Sequence, residues 1–376
     1  LPIEHMVKKS PDFRDLLFMI SVIASNDIPK RLLVSYKEDI VVDEFLYELK
    51  KFSLVTKDLI EDENLGQLFS IHGSTQDVIF TYFVNSLQSA VKPEKLHNIL
   101  IFLENYLSEI LEKHDTPKIQ SLVPHIESLL SHSRLFDNQD MARLSSKLGL
   151  CYFYLGRYEK AKKIYNANLK MYEREKKGKK IDINQAGVLA RLGSVYRNTA
   201  DFQKAKEYLQ RALEIYKIYY DENHIEMGWI STILGSVYRS TGDYEKAKQL
   251  IKNGYRIHTQ HYGDGHKKVI WSSSYLGQVY KNTGNYNEAK KLLEKTLATY
   301  EKEFGENHTQ TAWILVHLAS VYRSIGYPNK AKDYLVRAIK TYKHQRGENS
   351  FEYAWSNIHL SAVYRDLDNE IGRAHV

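Results

Sequence analysis

Tryptophan and basic side chains recur at a fixed interval along the second half of this 376-residue chain. The tryptophan row contains all four tryptophans, spaced 42 residues apart: Trp229, Trp271, Trp313 and Trp355. The cationic row keeps the same interval of 42 residues: Arg197, Arg239, Lys281, Arg323 and Arg365. Arginine can hold a carboxylate through two parallel hydrogen bonds, and Trp and Arg dominate many protein interfaces. The two rows therefore suit an extended peptide that carries acidic and aromatic side chains.

The elements that carry these rows are predicted to be paired helices. A six-residue segment recurs every 42 residues, at residues 192–197, 234–239, 276–281, 318–323 and 360–365. A looser copy begins at Leu148. In the third unit we predict a first helix over residues 226–240 and a second helix over residues 244–260. Gly242 suits the end of the first helix and Asp243 the N-cap of the second, and such pairs stack to bury their apolar faces.

The spacing within each unit resembles the tetratricopeptide repeat. The residues of the third unit that match this family's pattern are Leu234, Gly235, Tyr238, Gly242, Ala247 and Leu250. The period of 42 residues and the loop Gly305-Glu306-Asn307-His308 are similar to the kinesin light chain subclass. The resemblance covers residues 141–368. It implies an all-α, right-handed superhelix in which the first helix of each pair lines a concave groove.

The same resemblance places a set of side chains on this groove. The expected peptide-binding residues are Arg197, Asn198, Trp229, Ser236, Arg239, Trp271, Gln278, Lys281, Asn282, Trp313, Ser320, Arg323, Trp355 and Arg365. Helical geometry alone also puts Trp229, Ser236 and Arg239 on one helix face. The alternative is that the tryptophans wedge between units as core and the basic residues pair with nearby glutamates.

Residues 1–90 are predicted to form a small winged-helix domain. We expect helices over residues 12–24, 29–33 and 42–52, strands over residues 54–56 and 68–71 with an acidic turn at residues 61–64, and a helix over residues 74–87. Three helices followed by a two-stranded wing is the order of a winged helix.

Prolines and charge divide the rest of the chain. We assign residues 91–140 to a helical connector, 141–368 to the repeat array and 369–376 to a tail or truncation remnant. Pro93, Pro117 and Pro124 are expected to break the connector helices. Residues 1–140 contain 14 Lys and Arg against 22 Asp and Glu, a net charge of −8, whereas residues 141–376 carry +15. The two parts therefore differ in chemistry.

The segment from His72 to Ile79 resembles the region that closes the nucleotide site of signal-transduction ATPases of the NB-ARC and NACHT type. His72, Gln76 and Ile79 match its pattern, while Gly73 replaces the family's aspartate. The resemblance implies that His72 contacts the phosphates of bound ADP. The sequence has no Gly-x-x-x-x-Gly-Lys-Ser/Thr phosphate loop, so we expect the C-terminal part of a larger protein. ADP or ATP and an upstream nucleotide-binding domain would belong to that protein, with no cofactor in this chain.

The sequence gives little support for metal binding, catalysis or membrane insertion. His258, His261, Asp264 and His266 cluster within nine residues. The position of His266 recurs at His224 and His308, however, so we assign no metal site. Cys151 has no nearby catalytic pattern, and we predict that the chain is not an enzyme. No run of 18 apolar residues and no signal peptide are visible, so we expect a cytoplasmic protein without a membrane partner.

Protein recognition in the groove is therefore the predicted function, with the array as the ligand sensor of a signal-transduction ATPase. The alternatives are a stand-alone adaptor or scaffold, and a binder of RNA or another polyanion through the basic groove. DNA binding by the winged helix is disfavoured, because the candidate reading helix, residues 42–52, carries three acidic residues. The last helix has no second helix after it. Its apolar residues Ile358, Val363 and Tyr364 are expected to lack a partner, which would allow self-association.

Overall fold

The computed structural model of the protein describes residues 2–87, 93–113, 115–132, 137–175 and 182–374. The chain forms two compact units, Leu1–Lys180 and Ile181–Val376. The described residues form 18 helices and one sheet of three short strands. The predicted all-α class and the stacked helical repeats are confirmed.

Unit 1, Leu1–Lys180, is helical apart from its small sheet. In chain order its elements are α1 (Pro2–Lys9), α2 (Pro11–Val22), β1 (Ile28–Pro29), α3 (Lys30–Val34), α4 (Asp39–Lys51), β2 (Val55–Asp62), β3 (Gly66–Ile71), α5 (Gly73–Leu87), α6 (Pro93–Lys113), α7 (Thr116–Ser131), α8 (Asn138–Tyr154) and α9 (Tyr158–Glu175). The sheet is antiparallel with the order β1-β3-β2. Ile28 pairs with Phe69, and Val55 pairs with Ile71.

An aromatic core holds the first helices of unit 1 together. Ser10 caps α2 by accepting a hydrogen bond from a backbone N–H of the first turn at 3.1 Å. Phe13 of α2 meets Phe45 of α4 edge-on, with ring centroids 5.5 Å apart. Phe18 of α2 meets Phe83 of α5 in the same way at 5.3 Å. Edge-on pairs of this kind favour one relative placement of the helices.

The sheet differs from the sequence prediction at two places. β2 runs to Asp62, so the turn covers residues 63–65 and the predicted acidic turn at residues 61–64 is displaced. Backbone hydrogen bonds to β3 hold this mostly exposed strand, so its polar side chains do not end it. Ile28 and Pro29 pair with β3, where the sequence predicts the start of a helix. Proline is compatible with an edge strand, because its missing N–H can lie on the side that has no neighbouring strand.

Helices α6 and α7 connect this core to the helix pair α8–α9. The helix α7 packs against both α2 and α8. Pro93 and Pro117 lie in the first turns of α6 and α7. Proline is tolerated there because a backbone N–H in the first turn has no intrahelical acceptor. The break predicted at Pro124 is wrong, because α7 continues through it. Burial of Val123 and Ile126 on that helix offsets the cost of an internal proline, about 3 kcal/mol.

Unit 2, Ile181–Val376, is a stack of helix pairs. Its helices are α10 (Ile183–Asn198), α11 (Phe202–Tyr219), α12 (Ile225–Ser240), α13 (Tyr244–Tyr262), α14 (Lys267–Asn282), α15 (Tyr286–Phe304), α16 (Thr309–Ser324), α17 (Pro328–Arg346) and α18 (Phe351–Ala374). The even-numbered helices are the first helices of the pairs. They begin 42 residues apart, which confirms the predicted repeat.

Glycine allows each first helix to pack closely on its second helix. A Cβ at Gly235 would lie 2.5 Å from Ile251 of α13, and the equivalent glycines of the neighbouring pairs are similarly tight. The glycine of the repeated segment is therefore a packing requirement. Gly242 has φ of 86° and ends α12 as predicted. Asp243 accepts a hydrogen bond from the first turn of α13, whereas the side chain of Asn285, at the equivalent position of the next pair, makes no capping hydrogen bond.

The last helix is longer and better packed than predicted. α18 runs to Ala374, although the sequence predicts a tail from residue 369, and residues 375–376 lie outside the described ranges. Val363 is 1% exposed and joins the core formed with α16 and α17, so the prediction that it lacks a partner is wrong. Ile358 and Tyr364 remain 65% and 43% exposed. The exposed apolar face is therefore narrower than predicted.

Candidate functional site

The first helices of unit 2 form a continuous surface that carries both rows. Each one packs on the next: α10 on α12, α12 on α14, α14 on α16 and α16 on α18. Leu234 and Tyr238, which match the repeat's pattern, are buried. We call the surface with the cationic and tryptophan rows the groove face. Stacking places groups that are 42 residues apart in sequence side by side on it.

Arg197 connects three successive first helices on the groove face. Its guanidinium donates hydrogen bonds to Ser236 Oγ on α12 at 3.1 Å and to the Tyr275 hydroxyl on α14 at 3.2 Å. The guanidinium carbon lies 5.8 Å from the centre of the Tyr275 ring. Arg197 also donates to Asn198 Oδ1 at 3.1 and 2.9 Å. The inner sides of α10, α12 and α14 are therefore close enough to contact one ligand together.

Arg239 is a half-buried cation at the centre of the groove face. Burial lowers the pKa of its guanidinium, Tyr275 partly opposes this effect, and the positive charge of Arg197 adds to it. Its Nε is buried and has no hydrogen-bond partner among the described residues. No described carboxylate lies within ion-pair distance of Arg239. The unpaired N–H and the half-buried charge are both costly. An anionic ligand would accept a hydrogen bond from the N–H and compensate the charge.

Lys281 occupies the next position of the cationic row in a similar environment. Burial lowers the pKa of its ammonium, and the positive charges of Arg239 and Arg323 lower it further. Its Nζ donates a hydrogen bond to Ser320 Oγ at 2.8 Å. That partner is neutral, and among the described residues no carboxylate lies within ion-pair distance. The hydroxyl therefore orients the ammonium without compensating its charge.

Arg323 is the one member of the row that the structure shows paired with a carboxylate within the described residues. Its Nε and Nη2 donate to the two carboxylate oxygens of Asp366 on α18. The two side chains are 39% and 36% exposed. The hydrogen bond from Arg323 lowers the pKa of Asp366. The sequence analysis placed Arg323 in the ligand site, but the structure fills its binding capacity with the chain's own carboxylate.

Aromatic rings form a cluster at the end of the groove face made by α16 and α18. Trp313 stacks on Trp355, with centroids 5.4 Å apart. His317 meets Trp313 edge-on at 4.6 Å, and His359 meets Trp355 edge-on at 4.8 Å. Both tryptophans are half-buried. Their rings therefore combine the two roles considered from the sequence, since they pack between repeats and also remain partly accessible.

His317 is a buried imidazole beneath these rings. Its Nε2 lies 3.2 Å from the Gln278 amide nitrogen on α14. Burial lowers the pKa of His317 to about 3, and the positive charges of Arg239 and Lys281 act in the same direction. The ring is therefore neutral at pH 7. It holds Gln278 and Trp313 in place rather than adding charge to the groove face.

The remaining predicted groove residues are distributed along the same surface. Trp229 is half-buried on α12, and Trp271 meets Tyr275 edge-on at 5.5 Å. Asn282 and Arg365 are exposed. Ser236 is 2% exposed, so its main role is to accept the hydrogen bond from Arg197. The predicted residues therefore share one surface but differ in accessibility.

Four residues of the groove face were not predicted from the sequence. Tyr275, His317 and His359 each follow a tryptophan by four residues and recur every 42 residues, which is a readable helical signal. Asp366 carries no such signal. Its equivalents in the other repeats are Asn198, Ser240, Asn282 and Ser324, so only the structure reveals its pairing with Arg323.

The residues considered for metal binding or catalysis have structural roles or are buried. His224, His266 and His308 each accept a hydrogen bond from a backbone N–H at 3.2 Å and cap α12, α14 and α16. Across the described ranges, no group of three His, Cys, Asp or Glu side chains is placed to hold a metal ion. Burial raises the pKa of the Cys151 thiol to about 12. In the same part of the chain, no helix is long and apolar enough to cross a lipid bilayer.

His72 lies exposed between β3 and α5 in unit 1. Its backbone N–H donates to the Leu54 carbonyl at 3.3 Å, and its carbonyl accepts from the Gln76 N–H at 3.0 Å. The Gln76 side chain donates to the Ile20 carbonyl at 3.0 Å, and Ile79 is fully buried. Two of the three motif residues therefore serve packing within unit 1, while the imidazole of His72 is at the surface.

The helix pairs, their period of 42 residues and their tight glycines are those of tetratricopeptide repeats. The tetratricopeptide repeat model matches residues 184–260 and 268–344. A second model of the same repeat matches residues 142–174, which correspond to α8 and α9. The chain therefore carries tetratricopeptide repeats in both units. No match was found among the curated proteins.

Solved structures share the helical-repeat fold at low sequence identity. NprR in complex with its cognate peptide NprX is 15% identical with a TM-score of 0.53, covering 87% of this chain and 83% of that chain. The apo form of the quorum sensor NprR from B. thuringiensis is 14% identical with a TM-score of 0.53, covering 77% and 75%. BtubC (BKLC) from P. vanneervenii is 20% identical with a TM-score of 0.47, covering 64% and 94%. At these identities the likeness concerns the fold alone.

Proposed function

We propose that the groove face of unit 2 binds an extended acidic and aromatic segment of a partner protein. The observation that carries this proposal is the pair Arg239 and Lys281, two half-buried cations with no described carboxylate in reach. Removing a cation from water is costly unless an opposite charge compensates it. A ligand carboxylate would supply this compensation.

The contact between Arg323 and Asp366 supports a carboxylate as the favoured ligand group. There a member of the cationic row holds a carboxylate through two N–H groups. Arg239 on α12 carries the same guanidinium group as Arg323 on α16. NprR, whose fold is similar, was solved with its cognate peptide NprX, and this supports a peptide as the ligand.

The ring layer supports an aromatic or apolar side chain in the same ligand. Trp313 and Trp355 are partly accessible and already held by His317 and His359. A rigid aromatic surface loses little conformational freedom when it binds, and for this reason tryptophans often dominate interfaces. Charge would attract the ligand, and contact with the rings would hold it.

Selection from a displayed library of random peptides tests the proposal. The groove variant combines Arg239→Gln and Lys281→Gln. Its matched control combines Lys204→Gln and Lys246→Gln, which removes the same charge from exposed lysines that pair with aspartates. We expect acidic peptides that bind wild type and control alike and bind the groove variant at least tenfold more weakly. Equal binding of these peptides to all three proteins would contradict the proposal.

RNA is the competing class of ligand, and the same proteins discriminate it. Binding of a single-stranded polyanion through six phosphates weakens steeply with salt, by about 300-fold between 50 and 200 mM. A peptide held by two or three carboxylates should weaken far less. If single-stranded RNA binds more tightly than any selected peptide and the groove variant loses it, the groove face is a polyanion site instead.

We also propose that residues 1–90 form a winged-helix module of an NB-ARC- or NACHT-type ATPase, with the repeats as its cytoplasmic, kinesin-light-chain-like sensor. The order α2, β1, α3, α4 and the β2–β3 hairpin, with His72 exposed after β3, supports this. The test is to purify the full-length product of the natural gene and measure retained ADP. His72→Ala should reduce it. No phosphate loop upstream would favour a stand-alone adaptor.

A further inference from the structure

We infer that the groove face recognises an extended peptide with acidic residues three positions apart, held by Arg197, Arg239 and Lys281, and that Asp366 closes the row at Arg323. This inference rests on the proposed peptide binding and adds the pattern of the ligand. It depends on the spacing of the first helices, on the neutral groups that hold the cations and on the carboxylate at the end of the row.

The spacing of the first helices sets the spacing of the acids. Packed helices lie about 8–10 Å apart, and α10, α12 and α14 pack in succession. An extended chain advances about 3.3 Å per residue. One step between the helices that carry the cations therefore corresponds to about three residues of an extended ligand, and three acids in adjacent positions would span less than one such step.

Neutral groups fix the direction of two of the three cations. Arg197 is held by Ser236 and Tyr275, and Lys281 is held by Ser320. These hydroxyls fix direction and leave the positive charge uncompensated. Arg239 keeps a buried Nε without a described partner. A ligand therefore meets hydrogen-bond donors of fixed direction. Flexible, exposed lysines would instead accept any acidic pattern.

Asp366 limits the row at its other end. It follows Arg323 by 43 residues, and Asn282 follows Arg239 by the same interval. By its place in the repeat, the position beside Arg239 that corresponds to Asp366 is therefore a neutral amide. Beyond Lys281 the ligand meets an occupied cation and the rings of Trp313 and Trp355. We therefore expect its acidic part over α10, α12 and α14 and its aromatic part over α16 and α18.

Two synthetic peptides of identical composition test the spacing. One carries three aspartates separated by two neutral residues each, followed by a tryptophan, and the other carries the three aspartates in a row. Binding to the full chain is followed by fluorescence anisotropy of a labelled peptide at about 0.15 M salt, where screening limits non-specific attraction. We expect the spaced peptide to bind at least tenfold more tightly. Equal affinities would overturn the inference.

A substitution at Asn282 tests the role of the chain's own carboxylate. Asn282→Asp should place a carboxylate on Arg239 as Asp366 does on Arg323, and should weaken the spaced peptide at least tenfold. Asn282→Ser, which introduces the residue present at Ser240 and Ser324, is the matched control and should weaken binding far less than Asn282→Asp, because it adds no charge. Equal loss in both variants, or no loss in Asn282→Asp, would contradict the assigned geometry.

The opposite substitution, Asp366→Asn, frees Arg323. A peptide with a fourth aspartate at the same spacing should then gain affinity at least threefold, while wild type should show no such gain. No gain in the variant would overturn the role of Asp366. If no acidic peptide binds at all, the proposed function fails. If spaced and clustered peptides bind equally and the groove variant loses both, peptide binding holds and only the spacing is wrong.

Discussion

Unit 2 carries two sets of repeated basic side chains, and their surroundings differ in kind. On the second helices, Lys204 pairs with Asp201 at 3.1 Å and Lys246 pairs with Asp243 at 3.0 Å, and both lysines are exposed. The hydrogen bond that Lys246 donates to Asp243 raises the pKa of Lys246. On the groove face, burial and neighbouring positive charges lower the pKa of Lys281.

The difference shows that repetition alone does not identify a binding site. Both sets recur with the period of the repeat, and both would appear as basic stripes in the sequence. The lysines on the second helices are compensated locally, so they need nothing from a ligand. The cations at the centre of the groove face are held at a cost to the folded chain, and such a cost is typical of residues kept for binding.

The largest expected effect concerns the packing that presents the groove face. Gly235→Ala places a Cβ 2.5 Å from Ile251. We expect it to destabilise unit 2 by about 1–3 kcal/mol through overpacking. Urea unfolding followed by tryptophan fluorescence measures this effect in unit 2 alone, because all four tryptophans lie in it.

Gly187→Ala is the control for this substitution. A Cβ at Gly187 would meet only the Tyr216 hydroxyl, at 3.9 Å. Alanine is a better helix former than glycine by about 1 kcal/mol, so this variant should be slightly more stable than wild type. Destabilisation by both substitutions would contradict the close packing described for Gly235.

A smaller, pH-dependent effect on stability arises at His258, a buried residue of α13. Burial lowers its pKa to about 4, Lys268 acts in the same direction, and neither ring nitrogen has a partner among the described residues. Since the folded value is below the ordinary 6.5, the stabilising contribution is complete above that pH and is lost as the pH falls towards 4. We expect a loss of about 2 kcal/mol between pH 7 and pH 5.

The neighbouring repeat provides the control for His258. Its position is occupied by Tyr300, whose hydroxyl donates to Gln310, and Gln310 is equivalent to Lys268. His258→Tyr with Lys268→Gln should reproduce that pair and remove this part of the pH dependence, leaving the parts due to other histidines whose pKa is lowered by burial, such as His317 and His359. Urea midpoints of both proteins at pH 7 and pH 5 measure the difference. An unchanged slope would show that His258 does not titrate as described.

The smallest effect compares the two sets of lysines directly. Lys281→Met removes a half-buried charge and keeps much of the side chain's length, so it should raise the stability of unit 2 by up to about 1 kcal/mol. Lys246→Met breaks an exposed ion pair and should leave stability unchanged or slightly lower. The same urea measurement applies. A loss of stability in Lys281→Met would mean that the ammonium is already compensated.

Local periodicity predicted much of unit 2. The first helices begin at the predicted interval, and the cationic and tryptophan rows share one surface because helical spacing is a local property. Contacts between repeats were harder to predict. The reach of Arg197 to Tyr275 depends on how the stack curves, and the pairing of Arg323 with Asp366 depends on one residue that differs from its repeat equivalents.

Unit 1 shows the limits of local signals more clearly. The strand Ile28–Pro29 exists because β3 offers it a partner, which no short-range pattern announces. Pro124 continues α7 because the apolar residues around it are buried by tertiary packing, which outweighs its local preference. In both places, contacts distant in sequence decide the structure.

The central claim is that the groove face holds uncompensated cations for an acidic ligand, and the titration of the Lys281 ammonium tests it most directly. Nitrogen-detected NMR of the lysine side chains, assigned with Lys281→Arg and Lys246→Arg, gives both pKa values in one sample. We predict that the pKa of Lys281 lies below the ordinary 10.5, that of Lys246 lies above it, and that the spaced acidic peptide raises only the first. An ordinary or raised pKa for Lys281 in the free protein would contradict the account.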